Sequence, residues 1–172
     1  MRKIIIAAVT VNGYLSHSEA ESSHWTSKAD KRFFREATSG GRGVIIVGRK
    51  TYETIPGGLP GRQMVVLTTQ PKCFPNTPGV VFRSDPVEII LTDMEAKGYT
   101  ECWIAGGRQV YTHFLRKGYV DEIYLTVEPV LFDRGIPFLS ELAQDTPLSL
   151  ISQRLLDDQT VLLHYRTPFS GG

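Results

Sequence analysis

The chain has 172 residues, 41% hydrophobic and 22% charged, with a formal net charge of +1. That length suits one domain around one core, and no apolar run is long enough to form a membrane span, so a soluble globular protein is expected. Lys and Arg are scattered rather than gathered in a basic stripe, which argues against a nucleic-acid surface and for a small-molecule partner.

Met1-Arg2-Lys3 followed by Ile4 to Val9 has the look of a secretory leader, but polar Thr10 and the Asn12-Gly13 turn stop the apolar run after six residues. The spacing therefore predicts a buried strand rather than a leader. Val44 to Val47, Met64 to Leu67, Val80 to Phe82 and Cys102 to Ala105 are similar short runs, suited to strands buried on both faces of a parallel sheet. Helix signals lie between them. Ser27-Lys28-Ala29-Asp30 forms a capping-box-like start before Phe33, Phe34 and Ala37. Asp85-Pro86 offers an N-cap and an N1 proline, with Gly98 as the stop, and Gly107 to Lys117 predicts a helix ended by Gly118.

The alternation predicts an α/β fold with a mainly parallel central sheet and helices on both faces. Glu122 to Val130 then reads as a strand, and Leu148 to Leu156 and Thr160 to Arg166 flank a hairpin turn at Asp157-Asp158, giving an antiparallel C-terminal edge. Residues 1–168 are expected to be one domain and 169–172 a frayed tail. Cys73 and Cys102 lack metal-ligand neighbours, and His17, His24, His113 and His164 show no metal spacing. A reducing, cytoplasmic setting with no metal site is expected.

In open α/β sheets ligands bind beyond the carboxyl ends of the strands. Two strand-to-helix turns there combine glycine with cations: Gly48-Arg49-Lys50-Thr51 and Gly106-Gly107-Arg108-Gln109. Glycine admits close backbone approach, and a helix start adds N–H groups and a positive dipole. Neither turn matches the Rossmann or Walker pattern. One alone is read equally well as a tight turn with solvated cations, whereas a dinucleotide with separated anionic groups would use both.

Asp30 and Phe34 are four apart and share a helical face, so a carboxylate and a ring can grip one flat heterocycle. A carboxylate there could pair with the amidine-like edge of a pterin and favour protonation of an imine. On position alone, however, Asp30 stands three residues after Ser27, where an acid caps a helix. Trp25, Phe33 and Phe34 likewise have core packing as their default reading.

Taken in order, Ile5 to Val9, Trp25, Asp30, Phe34, Thr38, Val47 to Ile55, Leu59-Pro60-Gly61-Arg62, Ala105 to Tyr111 and Tyr124-Leu125-Thr126 resemble the dihydrofolate reductase family along nearly the whole chain. The resemblance implies a dihydrofolate-reductase-like domain that reduces dihydrofolate with NADPH, as a monomer or homodimer without membrane or nucleic-acid partners. It implies Asp30, Thr126 and Trp25 as the catalytic set, with Thr126 supporting Asp30 through a water. Ala8, Phe34, Ile55, Leu59, Ala105 and Tyr111 would line the substrate pocket, and Arg62 would hold the carboxylate of a glutamate tail. Ala8, Leu15, Gly48, Arg49, Lys50, Thr51, Leu67, Thr68, Thr69, Ala105, Gly106, Gly107, Arg108, Gln109, Val110 and Tyr111 would surround NADPH, with Gly106-Gly107 as a non-proline cis peptide.

The chain also departs from that family. Thr26-Ser27-Lys28 replaces the usual Leu-Pro between the tryptophan and the acid, and the loop His17 to His24 is polar. Asp133-Arg134-Gly135-Ile136-Pro137-Phe138 is similar to the wider superfamily that includes the pyrimidine reductase of riboflavin synthesis. Two other functions therefore stand beside the first: an NADPH-dependent reductase of a ribosylaminopyrimidine phosphate or another pterin, and a non-enzymatic nucleotide-binding module. A module of that kind would have no need of Asp30 with Thr126.

Overall fold

A computed structural model of the chain describes residues 1–169. The strands are β1 (Arg2–Thr10), β2 (Tyr14–Ser16), β3 (Gly43–Gly48), β4 (Gln63–Leu67), β5 (Val80–Arg83), β6 (Glu101–Ile104), β7 (Glu122–Glu128), β8 (Ile136–Pro137), β9 (Ser149–Leu155) and β10 (Val161–Arg166). The helices are α1 (Lys28–Thr38), α2 (Arg49–Glu53), α3 (Val87–Ala96) and α4 (Arg108–Arg116). Eight strands form one sheet in the order β5-β4-β3-β6-β1-β7-β10-β9, and β2 pairs separately with β8. Pairing is parallel from β5 through β7 and antiparallel where β10 meets β7 and β9. The expected α/β architecture is thus the observed one.

Continuous apolar strands arise because successive side chains feed opposite faces. Ile5, Ala7, Val44, Ile46, Cys102 and Ile104 enter one core with Val87, Ile90 and Met94 of α3 and Val110, Tyr111, Phe114 and Leu115 of α4. Ile4, Ile6, Ile45, Val47 and Trp103 enter the other, with Phe33 of α1 and Tyr52 of α2. The Cys102 thiol lies fully inside, and burial pushes its pKa up to about 12, so it behaves as a small hydrophobe.

The start of α3 and the end of β7 differ from expectation. Pro86 is the N-cap of α3 rather than its first helical residue, because Asp85 pairs with Arg83 at 2.6 Å instead of capping. The strand expected to reach Val130 ends at Glu128, whose side chain turns inward. Short α2 and the β2–β8 pair carry too little periodicity to stand out in the sequence. At the C-terminus Phe169 donates its N–H to Thr167 at 3.3 Å, and residues 170–172 of the expected tail lie outside the described residues. Among the described residues no helix is long and apolar enough to cross a membrane.

Phe114 of α4 is fully buried against the sheet. Phe114→Ala is expected to cost about 3–5 kcal/mol and to lower Tm by roughly 10 °C in thermal denaturation. A loss within about 1 kcal/mol would mean that the surrounding core collapses into the space.

Candidate active site

A cleft of about 1040 Å³ opens at the carboxyl ends of β1, β3, β4 and β6. The two glycine turns meet on its floor because β3 and β6 are neighbours. Gly48, ending β3, donates its N–H to Gly106 O at 2.8 Å. Gly106 holds φ +121, a conformation that favours glycine, and the Gly106–Gly107 peptide is cis as the resemblance implies. A Cβ on Gly48 would meet Val110 Cγ2 at 3.1 Å, so glycine is what lets the turns approach. α4 starts at Arg108 with Gly107 as its N-cap, which aims backbone N–H groups at the cleft.

Cations and hydroxyls rim this end. Arg49 pairs with Glu53 at 2.7 Å, and Lys50 pairs with Glu19 from the polar loop. Leu67, Thr68 and Thr69 close the far side beyond β4, while Arg108, Gln109 and Val110 line α4. The residues expected around NADPH therefore lie together, and the glycine floor, helix start and cationic rim fit a dinucleotide phosphate chemically.

Asp30 stands at the opposite end, in the first turn of α1. Ser27 Oγ accepts the Asp30 N–H at 3.0 Å, one half of a capping box. The return half is not made by Asp30. Glu128 Oε1 occupies the Ser27 N–H at 2.9 Å, from a residue 101 positions away. The Asp30 carboxyl is therefore released from capping and lines the cleft. Desolvation raises its pKa above the usual carboxylate value; the hydroxyls of Thr126 and Thr26 oppose the rise, and the Glu128 charge adds to it.

Ala8, Leu15, Trp25, Phe34, Ile55, Leu59, Ala105 and Tyr111 all face the same cleft. Thr126 does not. It is buried behind Asp30, on which its hydroxyl acts. Trp25 donates its indole N–H to Leu15 O at 3.1 Å and sets its ring edge against Phe132. Tyr111 donates to Ile6 O at 2.9 Å, and burial raises its phenol pKa so that it stays a donor.

Arg62 closes the outer end of the cleft. It donates from one Nη to Thr38 Oγ1 at 3.1 Å and lies 6.0 Å from the Phe34 ring centroid. Its buried Nε has no hydrogen-bond partner among the described residues. Desolvation, with repulsion from Arg35, lowers its pKa from the usual guanidinium value. A cation in that position is prepared for an anion.

Sequence reasoning missed Thr26, Lys31, Arg35 and Glu19, which also line the cleft, and Glu128 behind it. Glu128 carried a signal: it lies two residues beyond Thr126, on the same face of β7. Glu19 carried none, because its approach to Lys50 depends on the path of a loop 31 residues away. Among the described residues no group of three or more His, Cys, Asp or Glu could hold a metal ion.

Comparison with known proteins places this geometry in context. A family model described as dihydrofolate reductase matches residues 3–134. The uncharacterized protein YwjB of Bacillus subtilis is 29% identical over 71% of this chain and 72% of its own length. The dihydrofolate reductase of the same organism is 35% identical over 59% of this chain and 55% of its own length. The chain thus spans little more than half the length of that enzyme. Among solved structures, a Shewanella sp. PV-4 protein assigned to riboflavin biosynthesis superposes with TM-score 0.77 at 20% identity, covering 97% of this chain and 99% of that one. Dihydrofolate reductase from Enterococcus faecalis, complexed with NADP(H), superposes with TM-score 0.76 at 23% identity over 97% and 96%. Both likenesses show the fold.

Asp30 gives a stability prediction whose sign separates capping from site chemistry. An acid with a raised folded pKa binds more protons when folded, so its contribution is lost as pH climbs from the unfolded value, about 4, through the folded one. Asp30→Asn is therefore expected to be at least as stable as wild type at pH 7, with its relative Tm falling toward pH 4. A capping role would instead make it less stable by about 0.5–2 kcal/mol at neutral pH.

Proposed function

The chain belongs to the dihydrofolate reductase family, and from that premise we propose that it is an NADPH-dependent reductase converting 7,8-dihydrofolate to 5,6,7,8-tetrahydrofolate. What carries this reading is a pair of groups lining the substrate half of the cleft: the desolvated Asp30 carboxyl and the Arg62 guanidinium, whose buried Nε has no hydrogen-bond partner among the described residues. A pterin with an amidine-like edge and a tail ending in a carboxylate matches both. A ribosylaminopyrimidine phosphate would offer Arg62 a phosphate in place of a carboxylate, so the choice of substrate, not the arginine, separates the two readings.

The nicotinamide, when bound, supplies a hydride. Gly48, Thr51, Gly106, Gly107 and the start of α4 would hold the cofactor's phosphates, with Arg49, Lys50, Thr68, Thr69 and Arg108 around its anionic groups. Asp30 would accept hydrogen bonds from the pterin edge, orient the ring and favour a proton on it. Thr126 would hold the Asp30 carboxyl in place from behind, and Phe34, Ile55 and Leu59 would exclude water from the ring faces. Trp25 would anchor the loop between β1 and α1 over the site through Leu15.

The direct test follows NADPH absorbance with dihydrofolate as substrate. Arg62→Lys is expected to raise the KM for dihydrofolate at least about thirtyfold and leave that for NADPH nearly unchanged, since an ammonium cannot reproduce a two-pronged contact and loss of such a pair costs about 2–5 kcal/mol. If the wild-type protein ignores dihydrofolate yet reduces a ribosylaminopyrimidine phosphate efficiently, the folate reading is wrong.

Cofactor choice gives a second test. A charge-assisted bond of about 1.5–3 kcal/mol to the extra phosphate gives NADPH a preference of roughly tenfold or more over NADH in kcat/KM. Arg49→Ala is expected to erase it while sparing NADH. Equal kcat/KM of the wild-type protein for both cofactors would contradict the assignment.

A further inference from the structure

Glu128 is a carboxylate almost fully inside the protein, 4% exposed, at the end of β7. Burying an acid is costly unless it is paired. Among the described residues its contacts are two hydrogen bonds and no cation: Oε1 accepts the Ser27 N–H at 2.9 Å, and Oε2 accepts from Thr160 Oγ1 at 3.4 Å. A neutral amide could accept the same Ser27 N–H without bringing a charge inside, so that contact alone does not account for an acid there.

Its placement supplies a reason. Residues two apart on a strand face the same way, so β7 presents Thr126 and Glu128 together to the first turn of α1. Thr126 meets the Asp30 carboxyl, and Glu128 meets the Ser27 N–H, whose own Oγ caps Asp30 N. The chain of contacts from Thr160 through Glu128 and Ser27 to Asp30 thus ties the C-terminal hairpin to the acid of the cleft.

We propose that Glu128 is a positioning residue: it clamps the first turn of α1 against β7 and, through Ser27, sets its carboxylate charge next to the turn that carries Asp30. The direction of the Asp30 pKa agrees, since burial and the Glu128 charge both raise it. The other groups facing Asp30 do not supply this push. Lys31, the next residue on α1, acts oppositely while its Nζ is held by the carbonyls of His24 and Thr26. Tyr111 from α4 is buried and neutral, and Thr26 and Thr126 offer hydroxyls that favour the charged form. The catalytic consequence, a proton kept in the site to higher pH, rests on the reading of Asp30 as the pterin-binding acid; the clamp does not.

The test titrates the Asp30 carboxyl by 13C NMR in the full chain without ligands, its signal assigned through Asp30→Asn. Glu128→Gln keeps an amide oxygen for the Ser27 N–H, turns the long bond with Thr160 round so that the amide NH2 donates to its hydroxyl, and removes the charge. Its Asp30 midpoint is expected about half a unit or more below wild type, and at one unit above the wild-type midpoint the acid-dependent turnover of dihydrofolate should fall about threefold. A purely structural Glu128 would leave the midpoint where it is, and an unmoved midpoint overturns the proposal. If Glu128→Gln does not fold, Glu128→Asp takes its place: drawing the charge back by one methylene should lower the midpoint by a smaller amount, and no movement again overturns it. A shifted midpoint in a protein that does not reduce dihydrofolate would leave the placement of the Glu128 charge standing and remove the folate reading. Active wild-type enzyme with an unmoved midpoint would do the reverse.

Discussion

Burial of the central sheet on both faces is the constraint from which the rest follows. Strands covered on both sides must be apolar at every position, and they feed two cores at once. Ile45 and Ile46, adjacent in β3, go to opposite sides. Parallel pairing with helical crossovers then brings the carboxyl ends of the strands to one edge, where the loops need not be apolar. The cleft lies at that edge because nothing else there is committed to the core.

Within the cleft, what matters is which polar groups are left without a structural duty. Asp30 is released from capping because Glu128 makes the backbone contact that a capping acid would make. Arg62 is held by one nitrogen on Thr38 and leaves its Nε without a partner. Arg49 and Lys50 are in a different position, each already paired with an acid at the surface. Such exposed pairs are weak and exchange readily for a multiply charged anion, whereas a desolvated group gains more from a ligand. The two halves of the cleft therefore differ in kind, with one exchangeable and the other waiting.

The polar loop before α1 is joined to the body at separate points. Tyr14 and Ser16 pair with the strand Ile136–Pro137, and Asn12 exchanges hydrogen bonds with the backbone of Phe132. His17 stacks on the Phe132 ring at 3.7 Å, and Trp25 meets the same ring edge-on. The surface on which the loop rests is thus Phe132 together with Ile136 and Pro137 of the Asp133 to Phe138 segment that set this chain apart from the usual family pattern.

The sequence by itself determined the α/β class, the positions of the main strands and helices, and the two glycine turns, because hydrophobic period and glycine placement are local properties of the chain. Through the family resemblance it also brought forward about half of the residues that line the cleft, while the rest, from Glu19 and Thr26 to Lys31 and Arg35, come to it through the fold. Only the tertiary structure decided what Asp30 does at the start of α1. The spacing of Ser27 and Asp30 is equally that of a capping box, and the choice was made by a carboxylate 101 residues away that no local pattern connects to it. The same holds for Arg62, whose buried Nε is left without a hydrogen-bond partner among the described residues by its surroundings. Spacing states which side chains share an element, but the pairing of charges across elements depends on how those elements pack.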